Sequence, residues 1–432
     1  MPQSLPPTLA GTSPIANGIA LTREPLVFFA RLAQEAGDFA HYVLNDRLVF
    51  FVNDPRLVRE VLVAREGEFA KWAFNDSFRL IFGQGLIGSH GEVHRKSRKI
   101  AQPPMQPSRL GRYVEIMVEA AERRQKSWGE GEVDLSREMS LLTLEVIGES
   151  LFSMSLGDRA EKILEATDTL LRLNTKIGSL PENTAAFEEA NDALSRLAQE
   201  LIDQGPARSD DENLLATMIA AQRAGALSAN QLREEVRTFI LAGHVTTAQG
   251  LASAFWLLSR HPDAQKTLQE EVDTVLGGRS PRQEDIAQLR FCEMVILETL
   301  RLYPPIWVFG REALRDVPLD GATIKAGQEL VICPWLLHRN PEIFPEPDSF
   351  NPTRWSGNAR GALPRGSYLP FSIGPRSCLG EHFAMTESVL VLASVAQRWK
   401  FRELSSRPDP GWSPQLLYWP RRGIRLEAVR RS

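Results

Sequence analysis

The stretch "FSIGPRSCLG", Phe371–Gly380, places one cysteine between two glycines and directly before a segment with helical periodicity. The chain has only three cysteines in 432 residues, so a thiol in such a loop needs a physical explanation. Gly374 permits a backbone turn that is closed to residues with a Cβ, and Gly380 lets the loop continue into the helix. Unpaired N–H groups at a helix start and the charge of Arg376 favour a thiolate at Cys378. A thiolate held in this way is either a nucleophile or a metal ligand.

The composition excludes several classes of protein. The chain is 43% apolar and 24% charged, as in globular proteins, and its net charge of -4 gives no general attraction to nucleic acid or anionic membranes. An odd, small number of cysteines is typical of the reducing cytoplasm. Residues 1–20 contain paired prolines and no apolar run, which predicts an extended tail and neither a signal peptide nor a membrane anchor. We therefore expect a soluble, cytoplasmic protein.

The hydrophobic pattern predicts a mainly α structure with minor β. Residues 39–55 read as a β-hairpin, residues 317–334 as strands with glycine turns, and residues 338–366 as proline-rich coil. The predicted helices cover residues 55–63, 91–101, 109–129, 136–154, 158–225 with a break near 203–212, 228–260, 262–277, 286–302 and 381–401.

The helix predicted over residues 228–260 is apolar on nearly all faces, which indicates that it crosses the middle of the protein. Ser228 and Gln231 form a capping box at its start. Its interior contains Gly243, although glycine costs about 1 kcal/mol relative to alanine inside a helix. Thr246 and Thr247 then add hydroxyls to a buried environment. We expect another group to approach the backbone closely at this point.

The pattern Phe371-x-x-Gly374-x-Arg376-x-Cys378-x-Gly380 resembles the haem-binding loop of the cytochrome P450 family. The resemblance implies a single P450 domain over residues 1–432, with a long central helix above a haem and the cysteine loop below it. It also implies that Cys378 is the axial ligand of haem b, iron protoporphyrin IX.

The sequence "AGHVTT" in the long helix is similar to the oxygen-binding turn of the same family. The similarity implies that Ala242 and Gly243 leave room over the iron, and that Thr246, with Thr247 beside it, is the catalytic hydroxyl at the bound oxygen. The family usually has an acid where this chain has Val245, which puts the usual proton-delivery route in doubt. His244 is adjacent, but neighbouring helical positions point about 100° apart, so we expect it to lie away from the pocket.

A further family marker is Glu298-x-x-Arg301, which is followed by a coil containing Arg354 and Trp355. Positions three apart lie on one helix face, so Glu298 and Arg301 can pair. The alternative is a solvated surface pair worth a few tenths of a kcal/mol. The resemblance implies instead a buried, structural network of Glu298, Arg301 and Arg354, with Trp355 where phenylalanine is commoner.

Four residues match the family's ligands to the haem propionates. His94 and Arg98 are one helical turn apart and share a face, and Arg311 and Arg376 match two further cations. Guanidinium groups suit carboxylates because they can donate two hydrogen bonds in parallel. The alternative for the basic run around His94 is an ordinary solvated helix face.

The resemblance implies a monooxygenase that inserts one atom of O2 into a hydrophobic small molecule. Electrons are expected from a separate ferredoxin or flavodoxin with its NAD(P)H reductase, and the enzyme is expected to be a monomer. If His94 and Arg98 face the haem, Arg95, Lys96 and Lys99 face solvent and can receive an acidic redox protein.

The segments that match the family's substrate-contacting regions are apolar, which favours a terpenoid or a fatty acyl chain as substrate. About half of these side chains could equally be plain core. The predicted pocket residues are Trp72, Phe74, Phe78, Ile240, Trp307, Val308 and Phe309.

Three classes of function stay open at this point. The first is a monooxygenase supplied by a redox partner, with fatty-acid hydroxylation as an alternative to terpenoid oxidation. The second is a haem-thiolate enzyme that uses peroxide or rearranges its substrate, which Val245 favours. The third is a haem-binding sensor without turnover, against which Thr246 argues.

Overall fold

The computed structural model describes residues 5–71, 80–173, 181–205, 213–404 and 409–431. Helix dominates the secondary structure, as predicted. The α-helices are α1 Pro14–Arg23, α2 Pro25–Ala36, α3 Pro55–Arg59, α4 Gly91–Ala101, α5 Gly111–Gln125, α6 Leu135–Leu151, α7 Arg159–Leu173, α8 Pro181–Gln204, α9 Leu214–Arg223, α10 Ala229–Arg260, α11 Pro262–Leu276, α12 Arg290–Leu302, α13 Pro334–Leu337, α14 Ala359–Ala362 and α15 Glu381–Arg398.

The strands form small sheets. They are β1 Phe39–Leu44, β2 Arg47–Val52, β3 Phe69–Lys71, β4 Gly131–Asp134, β5 Phe309–Ala313, β6 Val317–Leu319, β7 Ala322–Ile324, β8 Glu329–Ile332, β9 Trp399–Glu403, β10 Trp412–Pro414, β11 Tyr418–Pro420 and β12 Arg425–Arg430. One sheet has the order β1-β2-β8-β5-β3 and a second the order β4-β12-β9, and β6-β7 and β10-β11 are two-stranded.

Contacts within the chain divide it into two compact units. The sheet unit comprises residues 1–75, 301–349 and 357–378 and contains the five-stranded sheet. The helical unit comprises residues 76–300, 350–356 and 379–432 and contains the long helix α10.

The sheet unit is organised around a buried apolar cluster. Side chains of β2 and β8, such as Phe50 and Leu330, pack there against Leu57 and Val61 of the segment that follows β2. The predicted hairpin is present, with β1 and β2 antiparallel and in register from Phe39–Val52 to Leu44–Arg47. Asn45 adopts φ 52° in its turn, a conformation that asparagine tolerates better than most residues.

The helical unit is organised around α10. Ser228 caps this helix, its side chain accepting the N–H of Gln231 at 3.1 Å while the Gln231 side chain accepts the N–H of Ser228 at 3.0 Å. The capping box predicted from the sequence is therefore confirmed. From Leu232 to Leu258 most side chains of the helix are buried, and α6 packs along it.

Several boundaries differ from the sequence predictions, and two of these differences have a clear local cause. Residues 14–23 form helix α1 instead of an extended tail, because Pro14 begins the helix and the Ser13 hydroxyl accepts the N–H of Ala16 at 3.2 Å. Ile15 and Ile19 are exposed, so this helix lacks the buried apolar stripe that a pattern search detects. At the other end of the chain, the helix predicted to residue 401 stops at Arg398, and Trp399 starts strand β9.

Within the described ranges, no helix has the length and apolar content that crossing a bilayer requires.

Candidate functional site

The loop that carries Cys378 is a tight turn in the sheet unit. Gly374 has φ 79°, and a side chain there would overlap the carbonyl oxygen of Leu62, so this position requires glycine. Gly374 begins a 3-10 turn that ends at Arg376, and the Cys378 N–H donates to the Phe371 carbonyl at 2.8 Å. The thiol is exposed on the loop. The backbone therefore presents the Cys378 sulfur to any group that enters from outside the loop.

Three cations lie together at this loop within the sheet unit, one in the loop and two on neighbouring strands. Lys71 of β3 and Arg311 of β5 are partners in antiparallel register, and Arg376 Nε lies 2.8 Å from Glu66 Oε1. Burial, then repulsion by Arg311 and Arg376, lowers the pKa of Lys71 to about 7, against an opposing effect of Cys378. Burial and repulsion by Arg376 lower the pKa of Arg311 to about 10, against the effect of Glu66. The cluster suits a ligand that carries carboxylates.

Lys71 is a candidate site residue that the sequence analysis missed. Its partnership with Arg311 depends on the pairing of β3 with β5, which are about 240 residues apart in the chain. The local sequence shows only one lysine after two apolar residues, and such a lysine is usually a solvated strand end. Lys71 could have been identified only from the register of β3 against β5, because no sequence motif contains it.

The turn of α10 at residues 242–247 lies in the helical unit. Thr246 Oγ1 donates to the Ala242 carbonyl at 3.0 Å, and Thr247 Oγ1 donates to the Gly243 carbonyl at 3.3 Å. Val245 is buried, as 4% of its surface is exposed. Back-bonding of this kind by threonine bends helices slightly and keeps each hydroxyl beside its own backbone. The roles proposed for the two threonines stay predictions.

Packing explains the glycine inside α10. A Cβ at Gly243 would lie 2.6 Å from Ile147 Cδ1 of α6, so the close approach predicted from the sequence is that of a neighbouring helix. The Thr143 hydroxyl of α6 also donates to the His244 carbonyl at 3.2 Å. This geometry accounts for Gly243 without a cofactor, and room over an iron atom at Ala242 and Gly243 stays a prediction.

His244 is buried, with 1% of its surface exposed. Its Nδ1 lies 2.6 Å from the Ile240 carbonyl, and its Nε2 has no hydrogen-bond partner among the described residues. Burial lowers the pKa of His244 to about 4, although the bond to Ile240 acts in the opposite direction. The imidazole is therefore neutral at physiological pH.

Helix α4 carries the two other predicted propionate ligands, in the helical unit. His94 is buried and Arg98 is half-buried on one face of this helix, whereas Arg95, Lys96 and Lys99 are exposed. The helix therefore separates a buried basic face from a solvated one, as the sequence analysis expected. Binding of a propionate by His94 and Arg98 stays a prediction.

The Glu298 carboxylate is completely buried at the centre of a hydrogen-bond network in the helical unit. It accepts the N–H of Asn351 at 3.0 Å, the Trp355 Nε1–H at 2.9 Å and Arg354 Nε at 3.4 Å. The indole explains tryptophan at position 355, because phenylalanine has no donor. The structure thus describes a buried network instead of a solvated surface pair.

Arg301 belongs to the sheet unit and is also completely buried. Its guanidinium donates to the carbonyls of His338 and Ser349, each at 3.0 Å, and to that of Pro347. The guanidinium carbon also lies 5.5 Å from the centre of the Phe344 ring. Arg301 thereby fixes the coil between α13 and residue 349, which agrees with a structural role.

The predicted pocket residues lie in several environments. Trp72, Phe74 and Phe78 fall outside the described residues. Trp307 is buried with its ring 6.2 Å from that of Phe29, so core packing explains it. Val308 and Ile240 are buried, and Phe309 packs at the edge of the apolar cluster of the sheet unit. Whether any of these side chains contacts substrate stays a prediction.

The sheet unit therefore contains an exposed thiol on a glycine turn with cations beside it. The helical unit contains a long buried helix with two threonines. An exposed thiol with cations beside it is an arrangement that can hold an anionic cofactor through a thiolate. The family model of cytochrome P450 matches residues 6–427, through both units. The chain belongs to the cytochrome P450 family, and membership implies a haem-iron cofactor and monooxygenase chemistry.

Several characterised relatives are similar over nearly their whole length. Cyclooctatin synthase of Streptomyces melanosporofaciens is 35% identical over 93% of this chain and 92% of its own. Cyclooctat-9-en-7-ol 5-monooxygenase of the same organism is 33% identical over 94% and 91%. Pentalenene oxygenase of Streptomyces avermitilis is 30% identical over 98% of both chains.

Proposed function

We propose that this P450 monooxygenase oxidises a terpenoid-like hydrocarbon or unsaturated alcohol. The relatives support this substrate class, since one is named for pentalenene and another for cyclooctat-9-en-7-ol. By their chemical names, the first is an alkene and the second an unsaturated alcohol. The apolar segments around Ile240 and Val308 agree with a substrate of low polarity.

The cofactor in this proposal is haem b. The loop around Cys378 is the main observation that supports it. When bound, such a haem supplies oxygen activation, because a cysteinate ligand favours cleavage of the O–O bond. The Cys378 sulfur is presented by a turn that excludes any residue other than glycine at position 374. Arg311 and Arg376 in the sheet unit, and His94 and Arg98 in the helical unit, would hold the propionates. The buried Arg311 and the half-buried Lys71 and Arg376 at the loop fit such a dianionic group.

In the helical unit, Thr246 and Thr247 supply the hydroxyls of the 242–247 turn. Val245 has no proton to give, and His244 is held neutral by burial. We therefore assign proton handling to Thr246, with ordered water or a hydroxyl on the substrate. The same valine favours a second candidate function, a haem-thiolate enzyme that uses peroxide.

Electrons are proposed to come from a separate ferredoxin or flavodoxin with its NAD(P)H reductase. The exposed cations Arg95, Lys96 and Lys99 on α4 support docking of an acidic partner there. Exposed charges accelerate association and are screened by salt. We propose further that the enzyme is a monomer. Its low cysteine content favours a location in the reducing cytoplasm.

The docking surface can be tested by charge reversal. We expect the Lys96→Glu/Lys99→Glu variant to slow reduction by the partner about tenfold at low salt, with the difference shrinking as salt is added. Substrate binding should stay unchanged. The matched control is Lys162→Glu/Lys266→Glu, which reverses two exposed lysines on α7 and α11. Equal reduction rates in the two double variants would rule out this surface.

The function is tested by titrating the ferric protein with terpenoid hydrocarbons and alcohols and, for comparison, with fatty acids. We expect terpenoids to convert the haem from low to high spin and to yield hydroxylated product with O2, NAD(P)H and redox proteins. Conversion by fatty acids alone would favour fatty-acid hydroxylation. Product formed from peroxide but not from NAD(P)H would favour the second candidate function.

A further inference from the structure

The long helix α10 is buried along most of its length, but not beside Thr246. Within residues 235–258, every residue is buried except Ala242, Gly243 and Thr246, which keep accessible surface. Accessible surface in the middle of a buried helix indicates a space beside that turn. The proposed function puts oxygen and substrate at this turn.

Gln249 lies on the same face of α10 as Ala242 and Thr246, because it follows them by seven and three residues. Only 3% of its surface is exposed. Its Nε2 donates to the Tyr418 carbonyl, which fixes the orientation of the amide because a carbonyl can only accept. Long helical side chains lean toward the preceding turn, and here that turn contains Thr246. Gln249 therefore supplies a side-chain amide beside the accessible turn.

The hairpin of β10 and β11 runs along α10 toward the same turn. In its register, Tyr418 lies beside the hairpin turn and Trp412 lies at the open end. Tyr418 accepts the bond from Gln249, whereas the Trp412 ring lies 5.7 Å from the ring of Trp256, two helical turns further along α10. The hairpin turn, residues 415–417, therefore faces the half of α10 that contains the accessible turn.

The Oε1 atom of Gln249 is buried and has no hydrogen-bond partner among the described residues. A buried amide oxygen without a donor is unfavourable, and leucine at this position would avoid that cost. The bond to Tyr418 explains the amide nitrogen but not the oxygen. The oxygen is therefore available to a donor that enters the space beside Thr246. A neutral amide oxygen suits a hydroxyl group, whereas the carboxylate of a fatty acid has no hydrogen to donate.

We propose that Gln249 is a specificity-determining residue that accepts a hydrogen bond from a hydroxyl group of the substrate. The inference rests on the proposed function and narrows its substrate class from terpenoid hydrocarbons and alcohols to alcohols. A hydroxyl held three residues from Thr246 also fixes the orientation of the carbon skeleton, and thus the positions that can be oxidised.

The test compares terpene alcohols with hydrocarbons of the same carbon skeleton, using cedrol with cedrane and menthol with menthane. Dissociation constants are measured on the ferric holoprotein from the conversion of low-spin to high-spin haem. A plain apolar pocket prefers the hydrocarbon, whose transfer from water is more favourable. We expect the wild type to bind the alcohol of at least one pair about tenfold more tightly than the hydrocarbon. A preference for the hydrocarbon in both pairs would overturn the inference.

The Gln249→Leu variant separates recognition of the hydroxyl from support of the hairpin. It should weaken binding of the alcohol about tenfold and leave binding of the hydrocarbon within about threefold of the wild type, so that the preference disappears. If Gln249 only supports the hairpin, both ligands lose affinity by the same factor, and the inference is wrong. Should Gln249→Leu fail to fold, Gln249→Met decides in the same way, because methionine fills irregular sites and is only a weak acceptor.

Gln125 offers a matched control on α5. It is also a buried glutamine, its Nε2 donates to the Ala121 carbonyl at 3.0 Å, and its Oε1 has no partner among the described residues. Gln125→Leu should keep the alcohol preference within about twofold of the wild type. Equal loss of the preference in the two leucine variants would show that it reflects general stability, and would overturn the role of Gln249.

The outcomes distinguish this inference from the proposed function. Spin conversion by terpenoids without an alcohol preference, or with a preference that Gln249→Leu retains, overturns the role of Gln249 and leaves the proposed function intact. A holoprotein that no terpenoid converts to high spin overturns the proposed function and the role of Gln249 together.

Discussion

The cysteine loop of the sheet unit and the 242–247 turn of the helical unit hold their polar groups differently. In the loop, long-range contacts dominate, since Gly374 meets the carbonyl of Leu62 and Arg376 pairs with Glu66, about 310 residues away. In the helical turn, each hydroxyl returns to a carbonyl four residues earlier. The loop is therefore positioned by the tertiary fold, whereas the turn is positioned largely by its own helix.

The two regions also differ in how closely they follow the cytochrome P450 pattern. Each position of the loop that resembles the family's haem-binding pattern is filled. The turn departs from it at Val245, and His244 beside it is neutral. The region proposed to bind the cofactor thus follows the family pattern, whereas the region proposed to handle protons departs from it, so variants can test the two regions separately.

The largest expected effect is that of Cys378→Ser. Removing the thiolate should abolish the red-shifted band of the ferrous carbonyl form and all turnover, since the serine oxygen is a poorer electron donor to iron. The measurement is the carbon monoxide difference spectrum. Cys292→Ala and Cys333→Ala are controls, because both thiols are buried in the fold, and both variants should keep the band. A band that survives in Cys378→Ser would show that another residue is the ligand.

The next effect concerns His244 and pH. Its folded-state pKa of about 4 lies below the ordinary value of 6.5, so protons bind the unfolded chain preferentially between these values. The free energy of unfolding therefore has its full value above pH 6.5. It falls by about 3 kcal/mol as the pH decreases to 4.

Urea unfolding at pH 7, 6, 5 and 4 tests this expectation. The free energy of unfolding of the wild type should fall by about 3 kcal/mol more than that of His244→Gln, which does not titrate. Parallel pH profiles for the two proteins would mean that His244 is protonated or exposed in the folded state.

The smallest expected effect is on coupling at Thr246. Thr246→Ala removes the hydroxyl that follows Val245, the position where the family usually has an acid. The variant should divert reducing equivalents into hydrogen peroxide and lower the product formed per NAD(P)H several-fold. Thr247→Ala is the control on the same turn and should change this ratio less. Val245→Glu should raise the ratio, unless burial of the carboxyl destabilises the helix. Full coupling in Thr246→Ala would make the substrate the leading proton source.

Local chemistry made much of the fold predictable. The capping box at Ser228, the hairpin around Asn45 and the positive φ of Gly374 each depend on residues close together in the chain. Helix α1 was missed because its stability comes from a serine cap and a proline, not from a buried stripe. Resemblance to a family then supplied the roles of residues that no local pattern explains.

The sequence by itself determined the type of most long elements, the cysteine motif and the family, because these depend on short-range sterics, periodicity and motif spacing. Only the tertiary structure decided which group each special residue meets. Gly243 accommodates Ile147, Trp355 donates to Glu298, and Lys71 lies opposite Arg311. Such contacts join residues that are distant in the chain, and their free energy depends on burial and geometry that arise only when the elements pack.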